Sequence, residues 1–204
     1  MHTMSFSIKR VALIAVAIVG VLAAQSATAM ANVAPANTRI SATSTDTVLV
    51  YSGIRIRCTT ADATTTTPAT GVSAISAVLT FGSGGRCDAN GVTATVTCNR
   101  TVDTTLRLTA FAAPSGSGTI ALDAAFTCTI NVALAGCRVS VVGAQANVGT
   151  WSFTNRTQVL DIRANRVAAT DTGGTCSGDT TARTRSGTAS FTGTYTPDHR
   201  VTVS

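Results

Sequence analysis

The sequence predicts an all-β fold, an antiparallel β-sandwich of about ten short strands with a closed β-barrel as the alternative. Three observations lead there. Apolar residues recur at every second position through much of the chain, threonine fills many of the alternate positions, and Gly, Asn, Asp and Pro separate the runs. No segment gathers its apolar residues at helical spacing, whereas period two collects them on one face of a strand. Threonine suits the outward positions, because its β-branched side chain favours extended backbone and stays hydrated.

The alternation begins at Thr47. Val48 and Val50, then Ile54, Ile56 and Cys58, alternate with polar positions that include Arg55 and Arg57. Thr59 to Thr70 reads as a Thr-rich connection containing Asp62 and Pro68. Ile75, Ala77, Leu79 and Phe81 form the next inward set, ended by Gly82-Ser83-Gly84-Gly85. Asp88-Ala89-Asn90-Gly91 is a turn signal, since Asn-Gly readily takes the positive φ angles of a tight hairpin. Val92, Ala94, Val96 and Cys98 alternate with three threonines, and Leu106 and Leu108 flank Arg107. The clearest stretch runs from Ile120 to Leu134, a strand bent or broken midway. Cys137/Val139/Val141, Trp151/Phe153, Leu160/Ile162, Phe191/Tyr195 and Val201/Val203 continue the pattern.

Ahead of this domain stands a targeting signal. Lys9 and Arg10 precede an apolar run from Val11 to Ala24, which small residues close at Ala27-Thr28-Ala29. A basic n-region, a short apolar core and an A-x-A site describe a secretory signal peptide. The run is short for a membrane span, and no second hydrophobic stretch follows. Cleavage is expected after Ala29, or after Ala31. The expected organisation is thus a signal peptide over 1–29, a flexible leader over 30–46 and a single β domain over 47–204, secreted into an oxidising compartment. At this length one core is feasible, burying roughly two thirds of the unfolded surface.

Six cysteines, Cys58, Cys87, Cys98, Cys128, Cys137 and Cys176, follow the signal segment. An even count in an exported chain reads as three disulfides. Cys87 and Cys98 flank the Asn-Gly turn, and Cys128 and Cys137 enclose a short segment. Local pairing would join each couple and leave Cys58 with Cys176. Fifteen connectivities exist and a Cys58–Cys87 arrangement is also reasonable, because sequence does not show which Cα atoms approach within about 7 Å.

Composition excludes several function classes. Lys9 is the only lysine and glutamate is absent, so beyond residue 29 thirteen arginines face nine aspartates, a net charge of +4. The arginines are scattered rather than striped, which argues against nucleic-acid binding and fits solubility or weak adhesion to anionic envelope polymers. A transmembrane barrel would also alternate, but one Trp and two Tyr are too few for its interfacial girdles. Acid–base chemistry has little to draw on. His199 stands beside Asp198 near the C-terminus and reads as a solvated tail histidine; there is no G-x-S-x-G elbow. Asp123 and Asp161, lying within strand patterns, are the candidates for an aspartate-dependent hydrolase. Asp88-Ala89-Asn90-Gly91 and Asp171-Thr172-Gly173-Gly174, with Asp179 beyond, place oxygen ligands in turns but lack the spacing of a calcium loop. Asn99-Arg100-Thr101 and Asn155-Arg156-Thr157 match the N-glycosylation pattern. No cofactor or metal is implied. Trp151, the only tryptophan, is the one possible ligand contact, either as core or as a platform for a sugar ring.

Taken in order, the signal segment, Ile54-Arg55-Ile56-Arg57-Cys58, Val72 to Phe81, the Cys128 and Cys137 strands and the closing Gly187-Thr188-Ala189-Ser190-Phe191-Thr192-Gly193-Thr194-Tyr195 resemble one kind of protein. They are similar to small secreted, Ser/Thr/Gly-rich, disulfide-bonded β-proteins of high-GC Gram-positive bacteria. More distantly, they resemble the bacterial alkane-oxidation activator proteins, which are exported and associated with the extracellular matrix. The Leu-Pro-Trp segment of those relatives is absent here, and no functional residue set is carried over. Export, the expected disulfides, Thr-rich sheet faces and the scarcity of catalytic side chains point to a non-catalytic protein of the cell surface or matrix, acting by adhesion or packing against envelope or matrix polymers. The alternative is a secreted module binding a glycan or a small apolar ligand, through a barrel interior or an exposed Trp151.

Overall fold

A computed structural model describes residues 30–81, 87–132, 135–172 and 184–204. The described residues form strands and turns with no helix. The strands are β1 (Val33–Ala34), β2 (Arg39–Ser44), β3 (Thr47–Tyr51), β4 (Ile54–Cys58), β5 (Ala61–Thr66), β6 (Ala74–Phe81), β7 (Cys87–Ala89) and β8 (Val92–Cys98). They continue with β9 (Val102–Ala112), β10 (Ser115–Leu122), β11 (Phe126–Val132), β12 (Ala135–Val141), β13 (Gln145–Thr154), β14 (Val159–Thr172), β15 (Arg185–Pro197) and β16 (Thr202–Val203). β1 and β16 pair with each other in a separate ribbon. All the others belong to one antiparallel sheet, ordered β10-β13-β14-β12-β11-β8-β7-β4-β3-β15-β2-β5-β6-β9, with β9 returning to β10. Closing the circuit leaves each of these strands with a neighbour on both sides, which removes the open edges on which sheets aggregate.

β14 and β15 also pair with each other, dividing the circuit into two loops that share this long hairpin. One loop runs β14-β12-β11-β8-β7-β4-β3-β15 and the other β14-β13-β10-β9-β6-β5-β2-β15. The division is made within β14 itself. Val159–Ala164 pairs with β13, a bulge interrupts the register between Ala164 and Val167, and Ala169–Thr172 pairs with β12. Such a bulge bends a strand and re-aims it. The Gln145 side chain repairs the ladder there: its Oε1 accepts the Ala168 N–H at 2.7 Å and its Nε2 donates to the Ala168 carbonyl at 2.8 Å. β15 changes partner likewise, from β3 at Ala189–Thr192 to β2 at Thr196 and Pro197.

Alternation decides which face is inside. On β4, Ile56 and Cys58 are buried while Arg55 and Arg57 are exposed; on β8, Ala94 and Val96 are buried while Thr93, Thr95 and Thr97 are exposed. On β15, Phe191, Gly193 and Tyr195 face inward and Thr192, Thr194 and Thr196 face out. Phe191 packs edge-to-face on Phe81, with ring centroids 5.1 Å apart. The Asn-Gly turn joins β7 to β8 with Asn90 at φ 54° and Gly91 at φ 87°, as a two-residue hairpin loop requires.

Several expectations are corrected. Sixteen strands occur among the described residues rather than about ten. Residues 33–44, expected in a loose leader, form β1 and β2, and the Thr-rich connection contains β5, which pairs with β2 and β6. The stretch beginning at Ile120 is divided between β10, which lies beside β9 and β13, and β11, which lies beside β8 and β12. The signal segment lies outside the described residues.

The local disulfide pairing is also overturned. Cys58 bonds Cys87 and Cys98 bonds Cys128, with Cα separations of 4.0 and 3.9 Å. Register explains both. The β7–β8 hairpin sets Cys87 opposite Ala94, so Cys98 lies too far along β8 to reach it. The β11–β12 hairpin likewise sets Cys128 opposite Val139, while its other neighbour β8 presents Cys98 directly across. Each bond closes a loop of 29 or 30 residues and on chain-entropy grounds contributes about 3–4 kcal/mol. Of the remaining two, Cys176 lies outside the described residues, as does the Cys137 side chain.

Candidate functional site

The site that the fold builds is internal. Trp151 stands on β13 between Gly118 of β10 and Ile162 of β14, and only 8% of its surface is exposed. It is therefore not an exposed sugar platform. Its indole lies across Gly116 and Gly118: a Cβ at Gly116 would meet the ring at 3.7 Å, and one at Gly118 would stand 2.9 Å from Nε1. The bare glycine backbone lets the Nε1–H donate to the Arg107 carbonyl at 3.1 Å. With its polar edge bonded, the ring forms part of the wall of an apolar cavity of about 120 Å³, together with Ile40, Ala63, Ile75, Leu106 and Leu108.

A second apolar cavity of about 80 Å³ is lined by Leu79, Ile120, Ile162 and Phe191 among others. Successive inward positions of the same strands serve the two: Ala77 then Leu79 on β6, Leu106 then Thr104 on β9, Leu160 then Ile162 on β14. Tyr195, on the same hairpin, is fully buried. Its hydroxyl faces that of Thr47, and neither oxygen has a partner in hydrogen-bond geometry among the described residues. Burial pushes the Tyr195 phenol well above its usual range; the Thr47 hydroxyl lowers it by less, and Asp62 raises it further. Tyr51 is raised by burial and then by the charge of Asp171. Asp171 is 2% exposed, and its Oδ1 has no hydrogen-bond partner among the described residues.

Residues 31–34 and 201–204 border one end of the first cavity. Val33 of β1 and Val203 of β16 line it, with Ala31, Val72 and Val201 beside them. Asn32 and Ser204 exchange backbone hydrogen bonds of 2.7 and 3.0 Å, and Ala31 and Val72 exchange bonds of 3.2 and 3.0 Å. Two side-chain amides stand in for a missing strand. Asn155 Oδ1 accepts the Val203 N–H at 2.8 Å while Nδ2 donates to its carbonyl at 2.9 Å. Gln158 does the same for Val201, at 2.7 and 2.8 Å.

The acid–base candidates are not brought together into a catalytic set. Asp123 accepts the Thr105 hydroxyl at 2.9 Å, and Asp161 accepts that of Thr194 at 2.8 Å, so each belongs to its own Thr–Asp pair. His199 Nδ1 lies 2.9 Å from Asp198 Oδ1 with both side chains largely exposed; Asp198 also accepts the Ser41 N–H. The His199 hydrogen bond is the main cause holding the Asp198 carboxyl below its usual range. Asp88 Oδ1 accepts the Gly91 N–H at 2.8 Å across the hairpin turn. Residues 173–183, including Asp179, lie outside the described residues. Of the glycosylation sites, Asn99 accepts the Thr127 N–H and Asn155 is committed to Val203.

Sequence reasoning missed the cover, because residues 31–44 carry small side chains and weak alternation. It also missed Gln145, Asn155 and Gln158, whose roles depend on meeting backbone far away in sequence. Comparison with known proteins gave no matching family model, no similar curated protein and no similar solved structure.

Proposed function

We propose that this is a non-catalytic exported protein of the cell surface or extracellular matrix, acting by packing and weak adhesion against envelope or matrix polymers. The observation that supports this reading is the outer face of the sheet, where hydroxyl and charged side chains line up across neighbouring strands. Thr119, Thr150, Arg163 and Thr192 occupy paired positions on β10, β13, β14 and β15; Ser117, Ser152, Asp161 and Thr194 form the next row. Thr97, Thr129 and Arg138 continue the theme on β8, β11 and β12. Such rows offer repeated hydrogen-bond donors and acceptors to a polyhydroxylated or anionic polymer, each contact worth little and the array worth more. The resemblance to small secreted β-proteins of high-GC Gram-positive bacteria, and more distantly to the matrix-associated alkane-oxidation activator proteins, points the same way, as do the disulfides, which suit an oxidising compartment. The sheet is read here as a barrel flattened until its two walls pack as a sandwich. Fractionation of producing cells tests the proposal. Retention in envelope or matrix, with release by salt or detergent, is the expected result; recovery as free protein in the medium rejects it.

A further inference from the structure

The outer face leaves the interior unexplained. Well-packed cores contain few voids larger than a water molecule, yet this one keeps about 120 Å³ beneath its terminal ribbon. Water does not suit that space, since a buried water needs two to four polar partners. The side-chain donors of Thr65, Thr67 and Trp151 on the wall are committed to backbone carbonyls. Thr65 donates to the Ser76 carbonyl at 2.6 Å, Thr67 is bonded to the Pro35 and Thr38 carbonyls, and the Trp151 N–H is held by Arg107. What faces the cavity is hydrocarbon and the rings of Trp151 and Phe153.

We propose that this cavity binds a small apolar molecule, of the size of one aromatic ring or a short branched hydrocarbon, and that the β1–β16 ribbon is the cover through which it enters. Size sets the ligand class, because an apolar cavity of about 150 Å³ takes benzene and this one is slightly smaller. The ribbon is the weakest part of the enclosure. It pairs Val33 with Val203 and Ala34 with Thr202, extended by the Asn32–Ser204 backbone exchange, and stands outside the closed circuit. It is held by the Ala31–Val72 bridge and the Asn155 and Gln158 amides. Elements with so few contacts open locally far more often than the whole fold unfolds. Opening exposes Val33 and Val203, the residues that close this end, and leaves the circuit intact.

The test titrates the full chain, disulfides intact, with toluene, following the fluorescence of Trp151 and the heat of binding. Saturable binding of one toluene per chain at millimolar concentration or below is expected. Ala77→Leu, which pushes three carbons into the cavity, should weaken it about tenfold or more. Ala63→Val makes the same test with less strain if Ala77→Leu does not fold. Asn155→Ala should raise association and dissociation rates several-fold together while changing Kd by less than about threefold. Absence of saturable binding up to the solubility of toluene overturns the site. So does binding that the cavity-filling variants leave unchanged. Binding with rates unaffected by Asn155→Ala overturns the cover.

Discussion

A missing side chain at Gly118 lets three strands meet. A Cβ there would fall 1.7 Å from the Arg107 carbonyl oxygen, inside the β9–β10 ladder, and would lift the indole of Trp151 from its only hydrogen-bond acceptor. Backbone cannot yield as a flexible side chain does, so Gly118→Ala should cost about 3 kcal/mol or more in denaturant unfolding. Ser117→Ala next to it should stay within about 0.5 kcal/mol. Tyr195 supplies a second prediction at this scale. Its hydroxyl is buried without a good partner, so Tyr195→Phe should be neutral or mildly stabilising at pH 7, where deleting an unsatisfied group leaves nothing to lose. At high pH the variants diverge. The folded phenol is raised above its unfolded value of 10.0, so the unfolded chain releases its proton first. Stability from this group is complete below about pH 10 and is lost above it, at up to about 1.4 kcal/mol per pH unit. Melting temperatures between pH 9 and 11.5 should therefore fall less steeply for Tyr195→Phe than for the parent; parallel curves would show that burial does not restrain this phenol.

At the scale of elements, the three amide clasps differ in what they protect. Ala168 is exposed, so Gln145→Ala surrenders its backbone groups to water and should cost about 1 kcal/mol. Asn155 and Gln158 are partly buried and hold the chain's last strand, so Asn155→Ala should cost more. Amide exchange at Val201 and Val203 should accelerate about tenfold. Asn155→Asp should loosen the segment as much as alanine does, because a second carboxylate oxygen would then face the Val203 carbonyl. Wild-type exchange at Val203 in Asn155→Asp would show that the amide is not the anchor. These clasps also show where the sequence stops being legible. Strands with clear period two, such as β4, β6, β8 and β15, are visible in the sequence because burial on one face imposes the pattern. β2 and β5 are made of Ala, Ser, Thr, Arg, Asp and a single Ile, and become strands because they pair with each other and with β15 and β6. β10 begins Ser-Gly-Ser-Gly, a turn-like composition that Trp151 converts to strand by covering the glycines. The position of Trp151 in the core follows from its alternation with Phe153; the cavity beside it does not, since a void is set by volumes summed over many strands.

At the scale of the whole molecule, both observed disulfides fall in the same loop of the circuit. Cys58–Cys87 joins β4 to β7 and Cys98–Cys128 joins β8 to β11, whereas the loop through β13, β10, β9, β6, β5 and β2 is closed by hydrogen bonds and packing among its described residues. The shared β14–β15 hairpin is the only pairing that belongs to both loops. Constraint on the unfolded chain is therefore unevenly placed, while the apolar interior runs through both loops from one cavity to the next. Two behaviours are distinguishable by hydrogen exchange on the Cys58→Ala/Cys87→Ala variant. If each loop opens on its own, the loss of about 3–4 kcal/mol should appear as faster exchange in β3, β4, β7, β8 and β11, with β5, β6, β9 and β10 little changed. If the common interior couples them, the slowest amides of both loops should accelerate together, by the same factor as the fall in global stability. The first outcome is expected. Both bonds join strands of one loop, β4 to β7 and β8 to β11, so the constraint they place on the unfolded chain falls on that loop. Uniform acceleration would instead make the β14–β15 hairpin a rigid spine, on which both loops stand or fall.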